Sequence, residues 1–255
     1  MTKEQEEMLD VVKVFCSLCQ RHTLRYYAAG GTLLGAVRHG GFIPWDDDVD
    51  VSMPLEDFLR FQTLGGELPP NYSIQSEKTD KEYPYLFIKL CNSSCPFQTN
   101  MPNGPRGVYI DIFPLIPARA PTVRARFCFQ VISVIKYAMA VRTGWTGYRP
   151  YKNLPARIGY ALLRPLSLSG LRRLRNQLVK CIYAPESKEY LCSPGGAYKA
   201  DKEFFPSEWY SAAAELDFEG EKICVPMGWQ EYLSRNYGNY MELPPLEEQR
   251  ARHRD

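Results

Sequence analysis

Four carboxylates fall within five positions, Asp46, Asp47, Asp48 and Asp50, in the otherwise apolar stretch "IPWDDDVDVSM" (43–53). Like charges at that density repel, so either they all face water or a counter-charge gathers them. In a strand, residues two apart share a face. Asp46, Asp48 and Asp50 then fall on one parity, and Val49, Val51 and Met53 on the other, which belongs in a core. Asp48 and Asp50 would point into a cleft, with Cα atoms about 6.6 Å apart at ~3.3 Å per residue. Carboxylates so spaced can converge on two cations ~3.5–4 Å apart. Their hard oxygen atoms suit Mg2+ or Mn2+. Asp47, on the opposite parity, reads as a turn residue. A calcium loop would use Asp46, Asp48 and Asp50 as its first, third and fifth positions. It fails at the sixth, where Val51 replaces the required glycine, and Asp57 at the twelfth does not restore it.

Just upstream, "AAGGTLLGAVRHGG" (28–41) reads as a strand end, a glycine pair and a short helix that stops at Gly40 and Gly41. Backbone N–H groups at a glycine turn that opens a helix make a site for phosphate. A phosphate cradle would thus stand beside a metal site. The elements that position both follow from periodicity. Residues 4–22 carry apolar side chains close to helical spacing, at Met8, Val11, Val12, Val14, Phe15 and Leu18. "DVDVSM" (48–53), "YPYLFIKLC" (83–91) and "GVYIDIFPL" (107–115) read as strands, and Pro54 opens a helix through "LEDFLRFQTL". Residues 121–183 are mostly helical, broken by Gly and Pro at 144–155. "AELDFEGEKICVP" reads as a hairpin around Gly220, and "GWQEYLSRNYG" as a helix ended by Gly238.

The 255-residue chain is long enough for one large or two small domains, and 45% hydrophobic with 24% charged residues is an ordinary globular composition. The acidic opening "MTKEQEEMLD" shows no secretory signal pattern. "FCFQVISVIKYAMAV" (127–141) is short for a bilayer span and carries Lys136, so it reads as a buried or surface-lying helix. Among eight cysteines, Cys16 and Cys19 form a C-x-x-C with His22 nearby, but only Cys91 and Cys95 offer a distant second pair for zinc. Free thiols in a cytoplasmic setting are the expectation. The net charge of +2 hides an asymmetry: residues 112–185 contain no acid and thirteen bases, leaving 18 bases against 29 acids, or −11, elsewhere. Such a basic middle either balances the acidic body across a contact or recruits an anionic acceptor or membrane surface. "LRRLRNQLVK" (171–180) suits the second role, with an apolar stripe beside Arg172, Arg173, Arg175 and Lys180. No nucleic-acid module is visible.

The stretch "YYAAGGTLLGAVRHGGFIPWDDDVDVSMPLEDFLRF" resembles the signature of LicD-family phosphotransferases, which include the fukutin-related proteins. These belong to the nucleotidyltransferase superfamily typified by DNA polymerase β. The likeness continues in "YPYLFIKL", "GVYIDIFPL" and "LDFEGEKICVPMGWQEYLSRNYGNYMELPP", and spares only the basic middle. It implies an α+β fold, with a mixed sheet flanked by helices and a basic helical region inserted before a returning C-terminal segment. The expected division is a catalytic core at 1–118, the basic helices at 119–185 and the returning segment at 186–255.

Residue by residue, the resemblance implies that Gly30, Gly31 and Thr32 form the phosphate turn, and that Asp48, Asp50 and Asp111 are the metal-binding carboxylates. Arg38, Lys89 and Arg106 are candidate phosphate contacts. Cys91 and Asn92 stand where the family often has Arg-Asp, and His253 follows the C-terminal prolines as a family histidine does. The implied reaction moves phosphocholine or a polyol phosphate from a CDP-activated alcohol to a hydroxyl of a cell-surface glycan, releasing CMP, with a two-ion Mg2+ or Mn2+ site. The acceptor could be linked to a lipid carrier, at the inner face of the membrane. A true nucleotidyltransferase releasing pyrophosphate, or an inactive glycan-binding relative, are the alternatives.

Overall fold

The computed structural model describes residues 1–96, 102–149 and 154–249; His253 lies outside them. The fold is α+β. A mixed sheet runs in the order β1 (Tyr27–Ala28), β2 (Asp50–Pro54), β5 (Val108–Ala118), β4 (Ile88–Asn92), β3 (Tyr72–Gln75). β2 and β5 are parallel, and the other pairs along this path are antiparallel. The far end of β5 also pairs with β6 (Tyr190–Cys192), which pairs with β7 (Phe204–Pro206). A separate hairpin, β8 (Ala213–Phe218) and β9 (Glu221–Pro226), turns through Glu219 and Gly220, both at positive φ. Two positive φ values in a two-residue loop match the right-handed twist of the strands it joins.

One sheet face is apolar. Val51, Met53, Ile74, Ile88, Leu90, Ile110 and Ile112 are buried in the main core with Met8, Val11, Val12, Phe15 and Leu18 of α1 (Lys3–Arg21). α3 (Leu55–Phe61) adds Phe58 and Phe61, the latter packed on Phe15 with ring centroids 5.3 Å apart. Each such side chain contributes roughly 1.5–3 kcal/mol when fully buried. α1 starts with a capping box between Thr2 and Gln5.

Between β5 and β6 stand α4 (Val123–Arg142), α5 (Leu154–Leu163) and α6 (Leu168–Ile182). α4 places Ile135 and Met139 against Leu171 of α6 in a second core, with Leu163 of α5. The last α-helix among the described residues is α7 (Trp229–Tyr237), stopped by Gly238 at φ +67°. No helix among the described residues is long and apolar enough to cross a membrane.

Several element bounds differ from the periodicity. Residues 83–87 are not strand; Tyr83, Tyr85 and Phe87 pack edge-to-face and stacked beside Trp145 instead. β2 starts at Asp50, so Asp46 to Asp48 lie on its approach, and strand parity does not govern where their side chains point. β3, β6 and β7 are too short to show alternation.

Candidate active site

The opposite sheet face carries charge. Register puts Asp50 of β2 beside Asp111 of β5, and Asp111 beside Lys89 of β4, so three charged side chains form one row across adjacent strands. Neighbouring strands lie ~4.8 Å apart, which brings these groups into contact. The Lys89 ammonium donates to the Asp111 carboxylate at 2.6 Å and sits 3.7 Å from the Tyr109 ring centroid. Both members of that pair are nearly enclosed.

At the end of the row, Asp46, Asp47 and Asp48 bring one carboxylate oxygen each within 4.8 Å of one another. Asp47 is buried, not an exposed turn residue. Burial pushes the Asp50 carboxyl well above the ordinary carboxylate range; the charges of Asp48, Asp111 and Asp46 push the same way, and Lys89 opposes them. Five carboxylates gather here, and at Asp50 the charge of Lys89 opposes theirs. All the donors are hard oxygens, so Mg2+ or Mn2+ fits this set better than a soft, thiolate-seeking ion.

The glycine turn is built against these acids. α2 (Gly30–His39) begins at Gly30, whose φ of +53° favours glycine, and a side-chain carbon there would press on the Asp50 carboxylate at 3.0 Å. One at Gly31 would collide with the Asp46 carboxylate. Thr32 accepts the Asp50 N–H at 2.8 Å through its hydroxyl, and the Ala29 N–H donates to the Asp50 carbonyl at 3.0 Å. Turn and acid strand are thus stitched together.

Arg38 turns away from this row toward the tail, where its guanidinium donates to the carbonyls of Tyr240 and Glu242 at 3.1 Å each. Arg106 is exposed and lies 3.9 Å from Asp80. Asp57 is buried against Arg25 at 2.7 Å, apart from any calcium loop. Cys91 and Asn92 are enclosed in β4, where Asn92 accepts from the Ser94 N–H at 3.1 Å. The cysteines are free; burial pushes the Cys16 thiol up to about 11, and its sulfur lies 3.1 Å from the Tyr26 hydroxyl. Among the described residues, the only group of three or more metal-ligating side chains drawn together is Asp46, Asp47 and Asp48.

Three positioning residues escaped the sequence reading because nothing local marks them. Buried Gln5 donates its amide to the Ile43 and Asp46 carbonyls at 3.2 and 3.1 Å, tying α1 to the acidic loop. The Tyr232 hydroxyl accepts the Gly30 N–H at 3.0 Å. Glu219 accepts the Phe42 N–H at 2.9 Å, so the β8–β9 turn clamps the segment that leaves α2. The only available signal was helical spacing that left a glutamine on the apolar stripe of α1.

Fold and site together define an α+β protein with a carboxylate cluster facing a glycine-opened helix. Residues 23–132 match the family model described as LicD/FKTN/FKRP, nucleotidyltransferase domain. That stretch is therefore similar to a LicD-family domain. Over 261 aligned residues it is 28% identical to the lipopolysaccharide cholinephosphotransferase LicD of Haemophilus influenzae, covering 99% of this chain and 96% of that protein. A 43-residue segment is 54% identical to the ribitol 5-phosphate transferase FKRP of Homo sapiens, 17% of this chain and 9% of that one. An uncharacterized protein of Rickettsia prowazekii is 30% identical over 94 residues, 36% of this chain and 32% of that protein.

Proposed function

We propose that this chain is a phosphotransferase that moves a phospho-alcohol from a CDP-activated donor to a hydroxyl of a cell-surface glycan, releasing CMP. The observation that carries the reading is the Asp50–Asp111–Lys89 row set against the Gly30–Gly31 turn. The relative alignable over almost its full length is a cholinephosphotransferase, which favours phosphocholine as the transferred group; the short FKRP-like segment admits a polyol phosphate.

In this reading Asp48, Asp50 and Asp111 hold Mg2+ or Mn2+, with Asp46 and Asp47 beside them. A divalent ion bound there supplies charge neutralisation for the pyrophosphate and lowers the pKa of an acceptor hydroxyl. Asp111 takes the proton of that hydroxyl as its oxygen attacks the phosphorus bearing the alcohol, and the bond from that phosphorus to the oxygen of CMP breaks. Lys89 fixes the Asp111 carboxylate and offsets part of the site's negative charge. With the Gly30 N–H taken by the Tyr232 hydroxyl, the Gly31 and Thr32 N–H groups are left to face the donor phosphates, and the Thr32 hydroxyl keeps Asp50 in register with them. Such catalysis is mostly positioning and charge stabilisation. Arg38 and Arg106 come to the donor only by leaving their present partners. A CDP-activated donor and free thiols fit a cytoplasmic setting at the inner face of the membrane.

The test is incubation with CDP-choline, CDP-ribitol and CDP-glycerol in turn, with Mg2+, reading CMP and pyrophosphate. CMP from one donor, dependent on Asp50 and Asp111, is the expected result. Pyrophosphate in place of CMP makes the chain a true nucleotidyltransferase, and no turnover of any donor leaves a glycan-binding protein.

A further inference from the structure

The basic insertion holds eight of the fourteen large apolar side chains exposed among the described residues, although residues 119–185 are about a quarter of the chain. Three of them, Leu154, Ile158 and Leu162, are 64%, 52% and 71% exposed and recur every four residues on α5. That spacing lines them along one face of the helix, over ~12 Å at 1.5 Å per residue. The opposite face is the one that packs, with Gly159 in contact distance of Val134 and Tyr160 against Tyr137 of α4. On α4 the stripe that receives α5 runs back through Val131 to Phe127 and Val123, which are 66% and 86% exposed. Apolar residues exposed singly need no explanation, but a line of this kind does.

Charge surrounds the line. Arg157 and Arg164 flank it on α5 and its C-terminal end, exposed and without a carboxylate partner among the described residues. The whole stretch 112–185 contains no acidic residue. A second copy docking through this surface would bring two positive faces together, and the helix presents a convex ridge with no groove for a peptide. An anionic bilayer matches both features, since acyl chains take the apolar ridge and headgroups take the arginines.

We propose that the exposed ridge of α5, with Phe127 and Val123 of α4, is a membrane-docking face that inserts shallowly into an anionic lipid surface. This relocates the expected contact. Of the residues in "LRRLRNQLVK", Arg175 is fully buried and bonds Glu77 at 2.7 Å, and Arg172 bonds Glu77 at 3.0 Å and the Tyr83 carbonyl at 3.0 Å. Those arginines hold the insertion to the sheet domain and are not available to lipid.

Co-sedimentation tests this with vesicles of equal parts phosphatidylglycerol and phosphatidylcholine, against pure phosphatidylcholine, at low and high salt. The unmodified protein is expected to pellet with the anionic vesicles at low salt, and progressively less as salt screens the arginines. I158D/L162D, at sites already exposed, should weaken binding at least ~10-fold while the thermal unfolding curve stays in place. R157E/R164E should weaken it comparably and flatten the salt dependence, giving a second route if the first variant misfolds. Equal pelleting with neutral vesicles, none with anionic vesicles at low salt, or unchanged binding by both variants would overturn the proposal. So would light scattering that shows a dimer dissociated by I158D/L162D. Sedimentation does not involve the transfer reaction, so its outcome is independent of the donor chemistry.

Discussion

The carboxylate row and the basic insertion both concentrate one sign of charge, yet they handle it in opposite ways. Around Asp50 the like charges crowd together and their mutual repulsion is retained, with buried Lys89 opposing it. In the insertion the charges are dispersed along helices. Some are spent on fixed partners, as where Arg172 and Arg175 bracket Glu77, and the rest lie exposed around an apolar ridge. Charge of one sign crowded together marks where a ligand of opposite sign completes the structure. Charge paired off one-to-one marks a structural joint.

The largest effect separating the two regions belongs to Asp50 and Asp111. Asp50→Asn or Asp111→Asn should lower CMP release at least ~10³-fold, since several kcal/mol of charge stabilisation vanish at ~1.4 kcal/mol per decade. Asp50→Asn should at the same time raise Tm by a few degrees, because a buried, repelled carboxylate becomes neutral. Lost activity with gained stability is the signature of a ligand site; near-normal turnover in either variant would remove the site. Asp47→Asn belongs to the same set, given that its buried carboxylate joins those of Asp46 and Asp48.

The opposite signature is expected at the joint. Arg175→Leu leaves Glu77 without its closest cation and should destabilise the protein by about 3 kcal/mol. Denaturant unfolding measures it. CMP release from a soluble donor at a temperature where the variant stays folded should be close to normal. A stability change under ~0.5 kcal/mol would mean that Arg175 is no more than a surface charge.

How much of this could be read beforehand follows the same division. The acidic run and the glycine turn stand out locally in the sequence as charge density and a helix start, whereas Asp111 is singled out only by the resemblance to the long LicD-family signature. Lys89 was legible as a candidate, but its pairing with Asp111 is a matter of register between β4 and β5, which no single segment encodes. The place of Asp47 beside Asp46 and Asp48 was not legible, because β2 begins at Asp50 and strand parity does not reach the approach that carries the first three acids. Arg172 and Arg175 of α6 look like part of a lipid-facing amphipathic helix in the sequence, and only the tertiary position of Glu77, about a hundred residues upstream, turns them inward. Gln5 and Tyr232 act across similar distances in the chain, and hydrophobic periodicity is silent about such bonds.

A smaller effect tests whether the second contact between the basic helices and the rest of the fold is a joint of the same kind. Lys136 of α4 is half-buried and donates to the carbonyls of Gly195 and Gly196 at 3.2 and 2.7 Å, and buried Glu203 accepts the Tyr198 N–H at 2.8 Å. Burial pushes the Glu203 carboxyl up to about 7, although the Tyr198 N–H and the charges of Lys136 and Arg235 pull it down. An unfolded glutamate releases its proton near pH 4.5, so between that pH and about 7 the folded state holds a proton that the unfolded state has lost. Stability therefore falls as pH rises through this window and levels off above it. Glu203→Gln keeps an acceptor for the Tyr198 N–H but cannot ionise. Its stability should lose that slope, so that from pH 5 to pH 8 the unmodified protein declines by about 2–3 kcal/mol more than the variant. Chemical denaturation of the two proteins at both pH values measures the difference. Parallel curves would mean that Glu203 is ionised throughout and paired with Lys136, making this contact a true ion-pair joint like that of Arg175.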